Sequence, residues 1–190
     1  MEQKQFVKKF YYNDKHTPYQ ELSSLLHESF RERLEANLNF GCATFTPEEL
    51  KEKTSDAYIV CYFDVNKPIA MGVLTIKTKW GIRYGVFEFL AVSHEEKYRR
   101  KGLGSAVQRE CVGVAKKLGL SFVTSSTAVE AVSSVRLHLK TGFEIYRKKH
   151  YRNRNYVSYC FIYPLRHDIF NMLFMLMRKP IYRISEFFLK

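Results

Sequence analysis

A run of basic residues followed by two closely spaced glycines is the segment of this sequence with the clearest chemistry. It lies within residues 86–107, VFEFLAVSHEEKYRRKGLGSAV, where an apolar stretch typical of a buried strand is followed by the cations at 99–101. Gly102 and Gly104 then open a predicted helix. Glycine lets a backbone approach a ligand closely, and a helix N-terminus offers N–H groups with a partial positive charge. Residues 99–105, named the phosphate loop below, therefore predict a site for a pyrophosphate group.

Two familiar phosphate-binding patterns do not fit this segment. The Walker A pattern needs Gly-Lys followed by Ser or Thr, which the chain lacks. A dinucleotide-binding fingerprint needs a small residue three positions after Gly104, where Val107 stands, and a tighter turn before the helix. An ordinary solvated basic loop in front of an amphipathic helix remains the alternative, because motifs of this size also recur by accident.

Glu88 is the leading candidate for a general base. It is the only acid in the apolar run 86–92, which is predicted to be a strand leading toward the phosphate loop. A carboxylate in such a strand is partly desolvated, and active sites use desolvation to shift the pKa of groups that take up protons. The alternative is that Glu88 faces an arginine or water on the exposed side of the sheet.

Two motifs resemble those of the GNAT superfamily of acyl-CoA N-acyltransferases. Arg99-x-x-Gly102-x-Gly104 after a strand resembles the family's R/Q-x-x-G-x-G/A motif. The later SSVRLHLKTGF, residues 133–143, resembles its late helix and closing Gly-Phe. The resemblance covers about residues 6–165. It implies direct transfer of the acetyl group of acetyl-CoA to a primary amine, without a metal.

The resemblance also implies which residues contact acetyl-CoA. In the family, the fourth strand splays from the fifth, so that its backbone N–H groups bind the pantetheine arm and the thioester carbonyl. The phosphate loop binds the pyrophosphate. The residues that occupy these positions are Leu90, Ala91, Val92, Arg99, Arg100, Lys101, Gly102, Leu103, Gly104 and Ser105.

His138 is the second catalytic candidate, as the general acid for the departing thiolate. It stands four residues before Gly142, where the family commonly has Tyr, although phosphinothricin acetyltransferase-like branches also have His. Ala131 occupies the position of the family's Asn near the start of this helix. A reference pKa near 6.5 makes the acid form of histidine scarce at neutral pH. The alternative is a hydrogen-bonded residue on the helix face.

The periodicity and turn signals predict an α/β (mixed α+β) chain, in the order strand, helix, helix, three strands, helix, strand, helix and two strands. With the resemblance, this implies a GNAT fold: a central mixed, mostly antiparallel sheet of six to seven strands flanked by helices, plus a C-terminal helical tail. Predicted helices include 17–39, a capped helix from Thr46 to about Lys53, 102–118 and 129–140. The last two predicted strands, 143–146 and 157–163, flank a basic loop.

The charge of the chain favours an anionic acceptor. Lys and Arg number 31 against 19 Asp and Glu, a net charge of +12. Residues 146–154, YRKKHYRNR, hold five cations and no acid, and Lys77, Lys79 and Arg83 add the same sign around an earlier hairpin. An amino sugar, a nucleotide-linked amino sugar or an acidic amino acid fits such surroundings better than a polyamine. A solvated charged hairpin is the alternative.

Residues 1–165 are expected to form the acetyltransferase domain and residues 166–190 a basic, apolar helical extension. The run IFNMLFMLM at 169–177, with basic flanks, predicts packing or a homodimer contact, or peripheral contact with a membrane. Nucleic acid is not the expected partner, because the aromatic residues fall mostly within predicted strands. The alternative function is a non-catalytic basic binding module on the same scaffold, holding a membrane surface or nucleic acid.

The cysteines and the N-terminus favour a reducing cytoplasm. No signal-peptide core follows the first charges, and no Cys or His spacing suits zinc. Cys61, Cys111 and Cys160 each lie in an apolar run and are expected to be small buried hydrophobic residues.

Overall fold

The computed structural model describes residues 6–152 and 154–165, and their secondary structure follows the predicted order. The strands are β1 (Val7–Tyr12), β2 (Ala57–Asp64), β3 (Lys67–Lys79), β4 (Ile82–Val92), β5 (Phe122–Ala128), β6 (Glu144–His150) and β7 (Val157–Pro164). The helices are α1 (Tyr19–Glu35), α2 (Pro47–Lys53), α3 (Leu103–Lys117) and α4 (Val132–Lys140). Two short 3-10 turns lie at Gly41–Thr44 and Glu96–Tyr98.

Helix α1 ends at Glu35 rather than at the predicted residue 39, because its C-terminus is capped by backbone bonds. Asn37 takes a left-handed conformation with φ of 55°. Its N–H donates to the carbonyl of Leu34, and the N–H of Leu38 donates to the carbonyl of Arg33. This pair of bonds is a Schellman motif, which closes a helix with a left-handed residue that is usually Gly and sometimes Asn.

The start of helix α4 and the end of strand β6 also differ from the sequence prediction. Helix α4 begins at Val132 instead of 129, because the N–H of Val129 donates to the carbonyl of Val157 at 3.0 Å and so prolongs the strand pairing. Strand β6 continues to His150 in an antiparallel ladder with β7. The predicted strand 143–146 is confirmed in part, but the prediction that residues 147–150 lie in a loop is wrong, and the cations there stand on a strand.

The strands form a sheet with the order β1-β2-β3-β4-β5-β7-β6. Pairing is antiparallel for β1 with β2, β2 with β3, β5 with β7 and β6 with β7, and parallel for β4 with β5. This sheet of seven strands within the described residues confirms the predicted mixed, mostly antiparallel architecture flanked by helices. The chain divides into two compact units, the first made of residues up to Thr75 with Phe87–Cys111, the second of Ile76–Val86 with residues from Val112 onward.

The first unit packs α1 and α2 on the β1-β2-β3 meander. The apolar face of α1 joins residues of α2 and of the strands in one cluster that includes Leu22, Leu26, Phe30, Leu50, Ile59, Cys61, Met71 and Val73. Helix α2 starts at a capping box, in which the Thr46 hydroxyl accepts from the N–H of Glu49 and the Glu49 carboxylate accepts from the N–H of Thr46. The predicted Thr46 cap is confirmed.

On the other face of the first unit, helix α3 approaches strand β3 at Gly72. A Cβ atom placed on Gly72 would lie 2.5 Å from Cγ1 of Val107 and 2.9 Å from Cε2 of Phe87. Such distances are far inside van der Waals contact, so any side chain at position 72 would displace its neighbours. Only glycine permits this spacing between α3 and β3.

In the second unit, β5 and the first half of β4 are paired parallel at Gly85 with Val123 and Val86 with Thr124. Strand β7 lies between β5 and β6, and Leu165 beyond it donates its N–H to the carbonyl of Ser121.

All four cysteines are reduced and buried, which confirms the reading of Cys61, Cys111 and Cys160 as core residues. Cys42 is 9% exposed and the other three at most 1%. Desolvation raises the pKa of the Cys61 and Cys111 thiols, so these thiols stay protonated and unreactive in the folded chain.

The predicted helical extension at 166–190 lies outside the described residues, so the division of the chain into residues 1–165 and 166–190 stays a prediction. Among the residues that are described, no helix has the length and apolar character needed to cross a bilayer.

Gly72→Ala should destabilise the protein, because its methyl group overlaps Val107 and Phe87. Overpacking of this kind costs about 1–3 kcal/mol in the free energy of unfolding, measured by urea denaturation. Gly113→Ala is the control: that glycine lies within α3 with nothing within 4 Å of its added Cβ, so the substitution should stabilise the helix. If Gly72→Ala is as stable as the parent, the spacing of α3 and β3 is not limited by this contact.

Candidate active site

The backbone of the phosphate loop passes through two left-handed conformations before α3 begins. The φ angle is 56° at Arg100 and 74° at Gly102. The first helical bond runs from the N–H of Ala106 to the carbonyl of Gly102, so the N–H groups of residues 103–105 precede the helical ladder. These groups lie at the positive end of the helix dipole, where an anion is stabilised.

The loop is anchored on one side and presents its cations to solvent. Tyr98, immediately before the loop, is 3% exposed, and its hydroxyl donates to the carboxylate of Asp64 at 2.8 Å. The side chains of residues 99–101 are exposed. Arg99 lies 3.7 Å from the carboxylate of Glu96, but an exposed pair of this kind is weak. The cations therefore remain available to an anionic ligand.

Glu88 lies half-buried in the second half of β4. Its carboxylate accepts a hydrogen bond from the hydroxyl of Thr75 on β3 at 2.8 Å. The next residue, Phe89, has a left-handed φ of 52° inside the strand and packs edge-on against Phe45. The hydrogen bond from Thr75 orients the carboxylate of Glu88. The left-handed conformation of Phe89, the next residue, interrupts the alternation of side chains between the two faces of the strand.

Helix α1 holds the end of β4, where Leu90, Ala91 and Val92 lie. The hydroxyl of Ser29 donates to the carbonyl of Val92 at 2.8 Å. The carboxylate of Glu28 accepts from the hydroxyl of Ser93 at 2.8 Å and from the N–H of His94 at 2.7 Å. Side chains on one helix therefore hold the strand end that the resemblance assigns to the thioester.

His138 is buried in the second unit and uses both ring nitrogens. Nδ1 lies 2.8 Å from the carbonyl of Ser134, which can only accept, so Nδ1 carries the hydrogen. Nε2, 2.9 Å from the hydroxyl of Ser125, then accepts from it. The ring stacks on Phe161 with centroids 4.4 Å apart and meets the edge of Phe143. These hydrogen bonds and ring contacts are typical of a neutral imidazole in a protein core.

Burial lowers the pKa of His138 to about 4, partly opposed by the hydrogen bond to Ser134. The charged form is disfavoured because the ring is 2% exposed and lies between aromatic side chains. The proton that a general acid must give is therefore absent from this ring at neutral pH. The role of general acid for His138 stays a prediction, and these surroundings favour the alternative of a hydrogen-bonded structural residue.

The first unit contains Glu88, residues 90–92 and the phosphate loop, whereas His138 belongs to the second unit. Within the first unit, sequence reasoning missed Thr75, Glu28 and the function of Ser29. A polar residue on the apolar face of α1 was the available signal for Ser29. Nothing in the local sequence indicates that Thr75 and Glu88 meet, since their contact depends on the pairing of two strands. Among the described residues, no group of His, Cys, Asp or Glu side chains could hold a metal ion.

The lowered pKa of His138 predicts a loss of stability in acid. Between pH 6.5 and about 4 the unfolded chain binds a proton at this ring that the folded chain does not, so the free energy of unfolding decreases as the pH falls. Over this whole pH range, the effect lowers the free energy of unfolding by about 3 kcal/mol. Urea denaturation at several pH values should show that His138→Gln lacks this part of the slope.

His150→Gln is the control for that measurement, because His150 is an exposed residue at the end of β6. It should keep the slope of the parent. Parallel stability curves for the parent and His138→Gln would contradict the neutral, desolvated state of His138.

Comparison with known proteins agrees with this geometry. A sequence model of the acetyltransferase (GNAT) family matches residues 17–143. That range includes Glu88, the phosphate loop and His138. No curated protein sequence matches the chain.

Solved structures share the fold at low sequence identity. A GNAT-family acetyltransferase from Streptococcus pneumoniae is 19% identical with a TM-score of 0.65, covering 85% of this chain and 100% of its own. A Bacillus subtilis acetyltransferase in complex with CoA is 16% identical with a TM-score of 0.62, at the same coverage. The ribosomal-protein-S5-alanine acetyltransferase from Vibrio fischeri is 14% identical with a TM-score of 0.65, covering 85% and 94%. The family match extends over more than half of the sequence, and the chain therefore belongs to the GNAT family of acetyltransferases.

Proposed function

We propose that this chain is an N-acetyltransferase that moves the acetyl group of acetyl-CoA to the primary amine of a small, anionic acceptor. The observation that carries the proposal is the phosphate loop, whose left-handed Arg100 and Gly102 precede the N–H groups at the start of α3. CoA contains a pyrophosphate, the kind of group that such a helix start binds. The Bacillus subtilis neighbour was solved in complex with CoA, which supports the same co-substrate here.

The end of β4 supplies the second part of the proposed site. We assign the backbone N–H groups of Leu90, Ala91 and Val92 to the pantetheine arm and the thioester carbonyl. Ser29 holds the carbonyl of Val92, so the strand end has a fixed orientation before the ligand arrives. N–H groups fixed in this way stabilise a developing oxyanion without a cost of reorganisation.

Glu88 supplies the base in this proposal. The amine nitrogen attacks the carbonyl carbon of the thioester, and the C–S bond breaks with its electron pair leaving on the CoA thiolate. The proton lost by the nitrogen passes to the carboxylate of Glu88, directly or through one water molecule. The hydroxyl of Thr75 keeps one oxygen of that carboxylate in place.

An anionic acceptor is supported by the charge of the second unit. Arg147, Lys148 and Lys149 stand in succession on β6, and Lys79 and Arg83 lie on either side of the β3–β4 turn. Lys148 and Lys149 lie over the rings of Tyr159 and Tyr151, at 5.3 and 4.3 Å. A carboxylate or phosphate on the acceptor would be attracted to these cations.

The function is tested by incubating the full chain with acetyl-CoA and a panel of amines, and by measuring the free thiol of CoA that is released. The panel contains amino sugars, nucleotide-linked amino sugars, acidic amino acids and, as the opposite class, polyamines. Anionic acceptors should release thiol faster than polyamines. Preference for polyamines would contradict the acceptor class, and no release with any amine would contradict the enzyme itself.

Glu88→Gln should reduce kcat with the best acceptor of that panel by about 10²–10⁴-fold, the usual contribution of a placed base. The KM for acetyl-CoA should change little, because Gln keeps the size of the side chain and can still accept from Thr75. The exposed Glu52→Gln on α2 is the matched control and should leave kcat unchanged. If kcat for Glu88→Gln stays within a few fold of the parent, Glu88 is not the base.

Gly104→Val should weaken the binding of CoA, measured by calorimetry, because a branched side chain at the start of α3 obstructs the approach of the pyrophosphate. Gly104 is the better site for this test than Gly102, whose φ of 74° would strain any other residue. Gly104→Ala should give a smaller effect in the same direction.

Gly113→Val supplies the matched control for that test, since it places the same side chain farther along α3 where nothing crowds it. Circular dichroism checks that each variant is folded. Unchanged CoA affinity in a folded Gly104→Val would show that the pyrophosphate binds elsewhere.

A further inference from the structure

A cleft of about 180 Å³ lies in the second unit, at the turn between β3 and β4. We name it the Trp80 cleft. Its lining is formed by Lys79, Trp80, Ile82, Tyr84, Phe122, Thr124, Tyr146 and Arg147. These residues combine aromatic rings with two cations, Lys79 and Arg147, which are among the cations that favour an anionic acceptor. None of the eight is assigned to acetyl-CoA or to the general base.

Trp80 is an unusual residue for its place in the chain. The β3–β4 connection is a two-residue turn in which both Trp80 and Gly81 have positive φ, 52° and 76°. Such turns favour Asn or Gly, and a bulky aromatic residue in this conformation is strained. Trp80 is also 79% exposed, with the Lys79 ammonium 4.6 Å from its ring centroid. Local strain and solvent exposure together indicate a functional residue rather than a structural one.

The floor of the Trp80 cleft is aromatic and ordered. The rings of Tyr84 and Phe122 stack with centroids 5.1 Å apart and 20° between their planes. Both belong to strands paired in parallel, so their positions are set by the sheet. A planar ring can pack against these rings and against Trp80, because every aromatic ring offers a face for stacking.

A bulge in β6 turns two successive side chains into the cleft. The register with β7 shifts between Ile145, which pairs with Phe161, and Arg147, which pairs with Cys160. Tyr146 is thereby the extra residue of the strand, and both Tyr146 and Arg147 line the cleft. In a regular strand, successive side chains would point to opposite faces.

Arg147 contributes a guanidinium group to the lining of the cleft. Its Nε is buried and has no hydrogen-bond partner among the described residues. A buried N–H without an acceptor is unfavourable, and a guanidinium group suits phosphate because of its fixed, planar donors. The ammonium of Lys79 is a second cation in the same lining.

We propose that the Trp80 cleft binds a nucleoside phosphate, with the base stacked on Trp80 and the phosphate held by Arg147 and Lys79. The cleft accommodates the phosphate and the sugar, and the exposed face of Trp80 receives the base at the rim. The hydroxyl of Thr124, which donates to the carbonyl of Gly85 at 3.4 Å, offers an acceptor in the same lining. The site shares Arg147 and Lys79 with the proposed attraction of an anionic acceptor, but it uses none of the residues assigned to acetyl-CoA or to the base, so its ligand can be tested without acetyl-CoA.

The test uses the intrinsic fluorescence of the full chain, in which Trp80 is the single tryptophan. Excitation at the red edge of the tryptophan band avoids the tyrosines. UMP should quench or shift the emission in a saturable way. Uridine lacks the phosphate and its charge-assisted contacts, and inorganic phosphate lacks the base and its stacking. Each should bind at least roughly tenfold more weakly than UMP.

Four variants separate this site from general attraction of anions. Arg147→Gln and Lys79→Gln should each weaken UMP binding by roughly tenfold. Arg83→Gln removes the same charge from β4 and should leave binding unchanged, because Arg83 lies between two lining residues and points to the other face of the strand. Trp80→Phe, followed by calorimetry, should retain part of the affinity, since a smaller ring still stacks.

Three results would overturn the proposal. Equal affinity for UMP and uridine would show that the phosphate makes no contact in the cleft. An equal loss of UMP affinity in Arg83→Gln and Arg147→Gln would show that binding depends on net charge alone. A shift of Trp80 emission by phosphatidylglycerol vesicles, without a response to UMP, would assign the exposed ring to a lipid surface instead.

Discussion

The close approach of helix α3 to Gly72 is the constraint on which the arrangement of the first unit depends. Val107 and Phe87 occupy the space that a side chain at position 72 would fill. Val107 is one helical turn from Leu103, a rise of about 6 Å, so fixing Val107 against the strand also fixes the first turn of α3. Tyr98, bound to Asp64 at the end of β2, holds the chain on the other side of the phosphate loop. The loop is thus held between two contacts with the same meander.

The polar side chains of α1 have a comparable role for strand β4. A helix that covers a sheet usually presents apolar residues alone, yet Ser29 is 8% exposed within the α1 core face and bonds to a strand carbonyl. Glu28 adds two bonds just beyond the strand. The bonds made by Ser29 and by Glu28 to the N–H of His94 satisfy backbone groups at and just beyond the strand end. A hydrophobic contact could cover this strand end, but it could not orient its peptide groups.

Local signals in the sequence are sufficient to predict the order of the helices and strands and the position of the phosphate loop. The Thr46 capping box and the two glycines near the start of α3 are decided by residues within a few positions of each other, so the sequence predicts them directly. The end of α1 was missed because Asn37 took the left-handed position more often given to Gly. The start of α4 was missed because Val129 bonds to Val157, a partner far along the chain.

The candidate site was predicted less completely, for the same reason. Glu88 could be selected as the lone acid in an apolar strand, but Thr75, which orients it, is identified only by strand pairing. His138 could be selected from its motif, but its pKa depends on Phe161 and Phe143 around it. The sequence specifies which groups are present, whereas the packing decides their protonation state and their orientation.

Because all four cysteines are buried, the reactivity of their thiols reports partial opening of the folded chain. Cys42, Cys61 and Cys111 belong to the first unit and Cys160 to the second. A thiol reagent can modify each one only after the surrounding structure opens, so the rate of labelling at each position measures the free energy of that opening. Cys160, as the one thiol of the second unit within the described residues, distinguishes an opening of that unit from an opening of the first. The two units can thus be compared in one labelling experiment, without any added probe.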